Sequence, residues 1–401
     1  MGKRDAAIVG LAEWAPQRRW DRPMFSMEAA AELAALALAD AGVDHGEVDG
    51  LVSGPVFESP MFAPSALAEY LGVRANFAEI VDLGGASPAG MIWRAAAAIE
   101  VGACDTVLVV CTTVPPPARP RAGGGSGGGP ARLPAYLGGD SWGSPQGQFE
   151  LPSGLVAATP SFALIASRYL ARFPTAPETL AKISVHERDN ATHNPKAIFR
   201  DKPITVEDVL ASRMVADPLR LLEVVMPCFG GGAVVVTRAD RAARCPNRPV
   251  FVAGYGERLT HKSITYAPDL VETPTRVASE RAFRMAGVAR SDVDVALPYD
   301  CYTITVLLTL EDAGFCKKGE GGAFIEGHDL RCGGDFPLNT HGGQLGMGQA
   351  GLAGGLSHVT EGVLQIQGRA ESRQVPSCDI AYVNGTGGMM AEQVALILEG
   401  A

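Results

Sequence analysis

Apolar residues along this chain recur in two patterns. Nearly continuous apolar runs cover Ala6 to Leu11, Val48 to Ser53, Thr106 to Cys111, Val250 to Gly254, Val293 to Pro298 and Ile380 to Val383. Runs of that length read as strands, and one apolar throughout, as at Thr106 to Cys111, reads as a strand covered on both faces. Longer stretches between them read as helices: Ser26 to Ala41, Ala63 to Leu71, the stretch after Gly90 to about Val101, Pro274 to Ala286, Thr303 to Ala313, and one ending at Gln367. Ser26 is the expected cap of the first helix and Gly42 its stop. Phe162 to Arg172, Thr179 to Asn190 and Val206 to Ser212 read as further helices, and Gly230 to Gly232 lead into a strand from Ala233 to Thr237.

The pattern occurs twice. Ala41-Gly42-Val43 is followed by Val48-Asp49, and Ala286-Gly287-Val288 by Val293-Asp294 at the same spacing. Downstream, Cys104-Asp105 opens one apolar run and Cys378-Asp379 opens another. A repeat this long is a duplicated α/β unit rather than a solenoid. Such folds place their sites at loops after strands, where the halves meet.

The chain has 401 residues, enough for a large core and two or three domains. Its formal net charge of -10, without a basic tract, argues against nonspecific nucleic-acid binding. No apolar run reaches the length of a membrane span and the N-terminus has no long apolar stretch, so a soluble, cytoplasmic protein is expected. The eight cysteines show no metal-like spacing, no metal is expected, and they read as small buried apolar residues. Pro115 to Pro117 and the Gly123 to Gly129 tract read as a surface loop; no Walker-type Lys-Ser/Thr follows to make them a phosphate cradle.

Candidate chemistry lies in Gly-bearing loops on one side of the duplicated core: Gly84 to Gly90, Asn339 to Gly355 and Asn384 to Gly388. Pro298-Tyr299-Asp300-Cys301-Tyr302 sits at the strand-to-helix junction of the second repeat. With the segments Asn194-Pro195, Glu207 to Arg213 and Asp217-Pro218-Leu219, these loops resemble the thiolase superfamily over nearly the whole chain, closest to sterol-carrier-protein-x-type thiolases and their non-thiolytic relatives.

That resemblance implies an α/β, thiolase-like fold: duplicated βαβαβ halves, layered α/β/α/β/α, with an inserted loop domain. The expected boundaries are 1–111 plus 221–245 for the first half, 112–220 for the loop domain and 246–401 for the second half. It also implies what is missing. The nucleophilic Cys of thiolases falls at Gly85, or at Ala86 if the alignment slips by one; the Gly-His-Pro His falls at Gln349; the late acid/base Cys falls at Asn384 or Gly385. A covalent acyl-enzyme is therefore not expected. Backbone N–H groups near Gly85 and Gly387 remain as an oxyanion site able to hold an enolate.

The same losses, with a tyrosine at Tyr299, resemble the aldolases of steroid side-chain degradation. The implied function is retro-aldol cleavage of a β-hydroxyacyl-CoA, such as one carrying a sterol side chain, with coenzyme A entering as part of the substrate and no permanently bound cofactor. The resemblance also implies a homodimer and a small partner protein built from a zinc ribbon and an OB-fold. The alternatives are an acyl-CoA acyltransferase or thiolase using other residues, and a catalytically silent scaffold that binds acyl-CoA or lipid.

Tyr299 reads either as a core aromatic with a satisfied hydroxyl or as the base, for which its phenol must titrate well below its usual range near pH 10. His341 reads as a loop-capping residue or as the base that replaces the missing His. Gln349 can donate to the thioester oxygen but cannot move a proton. Asp300, Asn339, Gly342, Gly343 and Asn384 complete the expected substrate-binding loops, although Asn339 also reads as a tie between loops. His358 reads as structural, Cys301 and Tyr302 as packing beneath the site, and His186, Arg188 and His193 as a solvated face or a coenzyme A contact.

Overall fold

A computed structural model describes residues 5–117 and 143–401. The Gly123–Gly129 tract lies outside the described residues. The first half runs β1 (Ala6–Glu13), α1 (Ser26–Ala41), β2 (Gly50–Ser53), α2 (Ala63–Leu71), β3 (Phe77–Ile80), α3 (Ser87–Glu100) and β4 (Thr106–Thr113). There follow α4 (Ala158–Arg172), α5 (Pro177–Thr192), α6 (Val206–Ala211) and the small hairpin β5 (Met214–Ala216) and β6 (Leu219–Arg220), before β7 (Gly230–Arg238) and α7 (Ala239–Ala242). The second half contains β8 (Val250–Leu259), α8 (Thr275–Ala286), β9 (Val295–Leu297), α9 (Thr303–Ala313), α10 (Gly321–Gly327), α11 (Gly343–Met347), α12 (Leu356–Ile366), β10 (Ile380–Gly387) and β11 (Glu392–Gly400).

The long strands form one nine-stranded sheet in the order β3-β2-β4-β7-β1-β8-β11-β10-β9. Among the described residues its halves meet only through the short antiparallel contact of Ala7 and Ile8 with Phe251 and Val250. Helices α3 and α12 each pack against strands of both halves, whereas α1 and α2 cover the first half alone and α8 the second. The order of layers is thus α/β/α/β/α, and the central core is the apolar filling around α3 and α12. Small residues permit this: Ala89, Ala95, Ala96 and Ala98 of α3 are all buried, so sheet can approach it from both sides.

The sequence repeat has a direct structural meaning. Gly42 and Gly287 both end their helices in the left-handed region, at φ 63 and 73. Asp49 then accepts the N–H groups of Asp105 and Thr106 at 2.9 and 2.8 Å. Asp294 accepts those of Asp379 and Ile380 at 2.8 and 2.9 Å. In each half the carboxylate at the end of one turn holds the start of the neighbouring parallel strand.

The structure departs from the sequence reading in places. Ser26 is the first residue of α1 rather than its cap, and Glu58 takes its N–H at 2.7 Å. Gly230 to Gly232 lie within β7, where a Cβ at Gly231 would come 2.8 Å from the Cys111 carbonyl oxygen. Asn384 to Gly387 continue β10, pairing with Ala395 to Glu392 of β11, so the expected loop begins only at Gly388.

Candidate active site

A cavity of about 480 Å³ opens where the loops of the two halves meet, a size ordinary for a small-molecule site. The first half contributes bare backbone at Gly84 and Gly85, with Asp82 beside it. The second half contributes Tyr299, Gln349, Thr386 to Met389 and Glu392, with Lys262 following β8. Phe162 from α4, Val225, Tyr302 and Leu352 make the remaining wall largely apolar. Tyr302 stacks on Phe162 with ring centroids 4.4 Å apart, and its hydroxyl lies 2.9 Å from that of Thr159, so this wall is fixed.

Tyr299 is the pivot. It stands one residue, Pro298, beyond the end of β9 and is 3% exposed. Gln349 Nε2 donates to its oxygen at 2.9 Å, which leaves the phenolic proton to be donated elsewhere. The hydroxyl also occupies the space that a side chain at Gly85 would need: a Cβ there would overlap the Tyr299 oxygen and lie 2.5 Å from the Thr386 carbonyl oxygen. A tyrosine here and a side-chain nucleophile at position 85 exclude one another. Burial, with Cys301 next, raises the phenol above its ordinary range. Tyr299 therefore keeps its proton at neutral pH and suits donation rather than abstraction.

Behind this wall lies a sealed polar cluster. Asp300 is fully buried and accepts His358 Nε2 at 2.9 Å and the Leu345 N–H at 2.8 Å. Burial alone works against its charge, but the His358 bond and a bond from Glu187 outweigh it and hold the carboxyl below the usual range. Burial and the Asp300 charge push Glu187 well up, so that Glu187 carries the proton of the pair. Asn339 donates to Glu187 at 2.7 Å and to the Pro298 carbonyl at 3.0 Å, tying the loops together. The His358 ring lies over Tyr299 with centroids 5.8 Å apart.

Tyr299, Gln349, Gly85 and Gly387 thus share one cavity wall. The other expected residues stand elsewhere. His341 is 2% exposed and outside the cavity lining; burial, then the nearby His358, drops its basicity well below normal. Neither of its ring nitrogens has a hydrogen-bond partner among the described residues. Asp300, Asn339, Gly342 and Gly343 lie behind the wall; a Cβ at Gly342 would lie 2.6 Å from that of Ala191, and one at Gly343 would overlap Asp300. Asn384 turns away to Gln393 and the Val394 carbonyl at 3.1 and 3.2 Å. Cys301 and Tyr302 line the cavity rather than pack beneath it. Burial, then the Asp300 charge, keeps the Cys301 thiol protonated. Arg188, on α5, is 5% exposed and stacks over Phe199 at 4.1 Å, so it is not part of a solvated face.

Asp82, Lys262 and Glu392 were not foreseen from sequence. The available signal was the turn at Gly388: a hairpin there sets Glu392, the first residue of the returning strand, opposite Gly387. No metal-binding group of His, Cys, Asp and Glu occurs among the described residues, and no single described helix is long and apolar enough to cross a membrane.

Residues 256–400 match the family model described as "Thiolase C-terminal domain-like". The chain is 33% identical, over 98% of its length and 98% of the relative's, to a 17-hydroxy-3-oxo-4-pregnene-20-carboxyl-CoA lyase of Mycobacterium tuberculosis. It is 31% identical to an acetyl-CoA acetyltransferase of Methanothermobacter thermautotrophicus, over 98% of this chain and 99% of that one. Among solved structures, an Ltp2-ChsH2(DUF35) aldolase superposes with a TM-score of 0.82 at 28% identity, covering 99% of this chain and 98% of that chain.

Proposed function

The chain belongs to the thiolase superfamily, and from that premise we propose that it is a carbon–carbon lyase, cleaving a β-hydroxyacyl-CoA thioester by a retro-aldol route without acylating itself. The observation that carries this reading is the Tyr299 hydroxyl standing in the space of a side chain at Gly85. The nucleophile's place is filled by a proton donor. Cleavage requires removal of the β-hydroxyl proton. The bond between the α and β carbons then breaks, its electron pair moves to the α carbon, and a ketone leaves. The resulting thioester enolate is held by backbone N–H groups around Gly85 and Gly387, and Tyr299 supplies the proton that converts it to the shortened acyl-CoA. Gln349, by donating to the Tyr299 oxygen, stabilises the transient phenolate. The apolar wall of Phe162, Val225, Tyr302 and Leu352 suits a bulky hydrophobic acyl chain, such as a steroid side chain. By analogy with the Ltp2-ChsH2(DUF35) aldolase, a DUF35 protein is the proposed partner.

The likeness to an acetyl-CoA acetyltransferase favours a second reading, acyl transfer through another residue. Cys301 is the thiol in the cavity lining, and its raised pKa opposes that role. One pair of measurements separates the readings. Ketone release from β-hydroxyacyl-CoA thioesters, with no mass gain on the protein, supports the lyase. A stoichiometric acyl adduct mapped to Cys301, with no ketone released, would replace it with the transferase.

A further inference from the structure

Retro-aldol cleavage needs a group to take the hydroxyl proton, and neither sequence candidate is suited to it. Tyr299 keeps its proton, and His341 is sealed away from the cavity. Glu392 is placed differently. It opens β11 and pairs across the hairpin with Gly387. Its Oε2 lies 2.8 Å from where a Cβ on Gly387 would stand. Gly387 abuts the first-half loop in turn, its Cα being 3.3 Å from a Cβ built on Gly84. The next residue, Gly85, is the one whose side-chain space the Tyr299 hydroxyl fills. A carboxylate and a phenol therefore border the same strip of bare backbone from opposite ends.

We propose that Glu392 is the general base of the cleavage, accepting the β-hydroxyl proton at its carboxylate while Tyr299 delivers a proton to the α carbon. This assignment rests on the lyase reading. The reaction balances: the hydroxyl proton goes to Glu392, the bond pair to the α carbon, and the Tyr299 proton to that carbon. Exchange with solvent through the cavity, Glu392 losing its proton and the phenolate regaining one, restores both groups.

The surroundings of Glu392 fit the task. Asp82 faces it from the loop before α3, Glu257 from β8, and Lys262 from the segment after β8. Burial, then the Asp82 and Glu257 charges, push its carboxyl up to about 7 against the opposing pull of Lys262. Glu257 is itself held by Arg94 Nη1 and Trp93 Nε1, both at 2.8 Å, which keeps its charge in place. A base poised near the working pH combines an adequate deprotonated fraction with real proton affinity. Because the deprotonated form is active, cleavage should rise as pH rises through about 7.

The test measures ketone release by the full chain from tertiary β-hydroxyacyl-CoA thioesters with short, branched and steroidal chains, as a function of pH. Glu392→Gln is expected to lower kcat/KM by about 10²–10⁴-fold and to abolish the acidic limb, without any fall in melting temperature. Glu392→Asp should keep the limb at reduced rate. Wild-type turnover with an equally active Glu392→Gln would overturn the assignment and leave the lyase reading standing. A wild-type protein that cleaves none of the thioesters would remove both. If Glu392→Gln does not fold, Asp82→Asn decides: loss of the neighbouring charge should move the limb to lower pH, and an unmoved limb overturns the assignment.

Discussion

In the first half of the molecule Asp49 clamps the strand that follows the repeat, and in the second half Asp294 does the same at nearly the same distances. At the cavity this equivalence ends. The first half presents Gly84 and Gly85, which offer backbone, with Asp82 at the edge; the second presents Tyr299, Gln349, Lys262 and Glu392, and backs them with the buried Asp300 and His358, joined by Glu187 of α5. Duplication gave two equal frames, but a pocket at their junction needs only one set of proton-handling side chains. The other half is then free to become bare, and its bareness is useful: only without a side chain at Gly85 can the Tyr299 hydroxyl reach into the strip. The difference separates what each half must keep for folding from what it keeps for chemistry.

The sharpest way to break this comparison is Tyr299→Phe. It removes one oxygen and keeps the ring, so turnover of a β-hydroxyacyl-CoA should fall by about 10²–10⁴-fold while the melting temperature barely moves. Near-normal kcat/KM from this variant would return the second half's chemistry to some other residue. Next in size is Gly85→Cys, which writes a nucleophile back into the first half. Overpacking against Tyr299 and the Thr386 carbonyl should cost about 1–3 kcal/mol in chemical denaturation, with no acyl adduct by intact mass after exposure to acyl-CoA. A stable variant that acylates stoichiometrically would show that the two side chains can coexist.

The frames themselves are compared by Asp49→Ala and Asp294→Ala. Each strands two backbone N–H groups, so both should lose about 1–3 kcal/mol, and by similar amounts. A large effect in one half only would mean that the clamps are not equivalent.

The smallest expected effect concerns pH. The Glu392 carboxyl is raised in the folded state from 4.5 to about 7, so the folded protein binds this proton more tightly than the unfolded chain. Its ionisation therefore weakens the fold progressively across that window, and the full penalty persists above it. Glu392→Gln should melt higher than wild type above pH 7 and at the same temperature near pH 4. Equal melting curves at both pH values would mean that the site carries no such strain.

Much of the frame was legible because its punctuation is local. Helices α2 and α9 have the very boundaries read from sequence, α1 differs only in taking Ser26 as its first residue, and each stops at a glycine in the left-handed region: Gly42, Gly72 and Gly314. Strand β3 was not legible, since Phe77 to Ile80 is a half-exposed edge strand without a continuous apolar run. Strand β11 is not legible because Asn384 to Gly388 reads as a Gly-bearing loop, whereas pairing across the hairpin carries β10 through Gly387. Glu392 is hidden for the same reason. The placing of Tyr299 at the cavity follows from loops after strands, and that of Gly85 and Gln349 from the thiolase resemblance of those loops. The retreat of His341 and Asp300 into the core did not follow, because burial of a polar side chain depends on which loops pack against it, and no local pattern records that.

Helix α3 carries a consequence beyond the present chain. Strands of each half cover it from either side, and only Trp93, Arg94, Ala97 and Glu100 keep partial exposure. A protein made of a single copy of the repeated unit would leave that inner face naked. Two such units pairing with each other would cover it, with two identical helices meeting where α3 and α12 now lie. Fusion of the genes would then have turned an intermolecular symmetry axis into an intramolecular one. From that moment each copy could change without forcing the same change on its twin, which is the condition under which one half could lose side chains that the other went on to use.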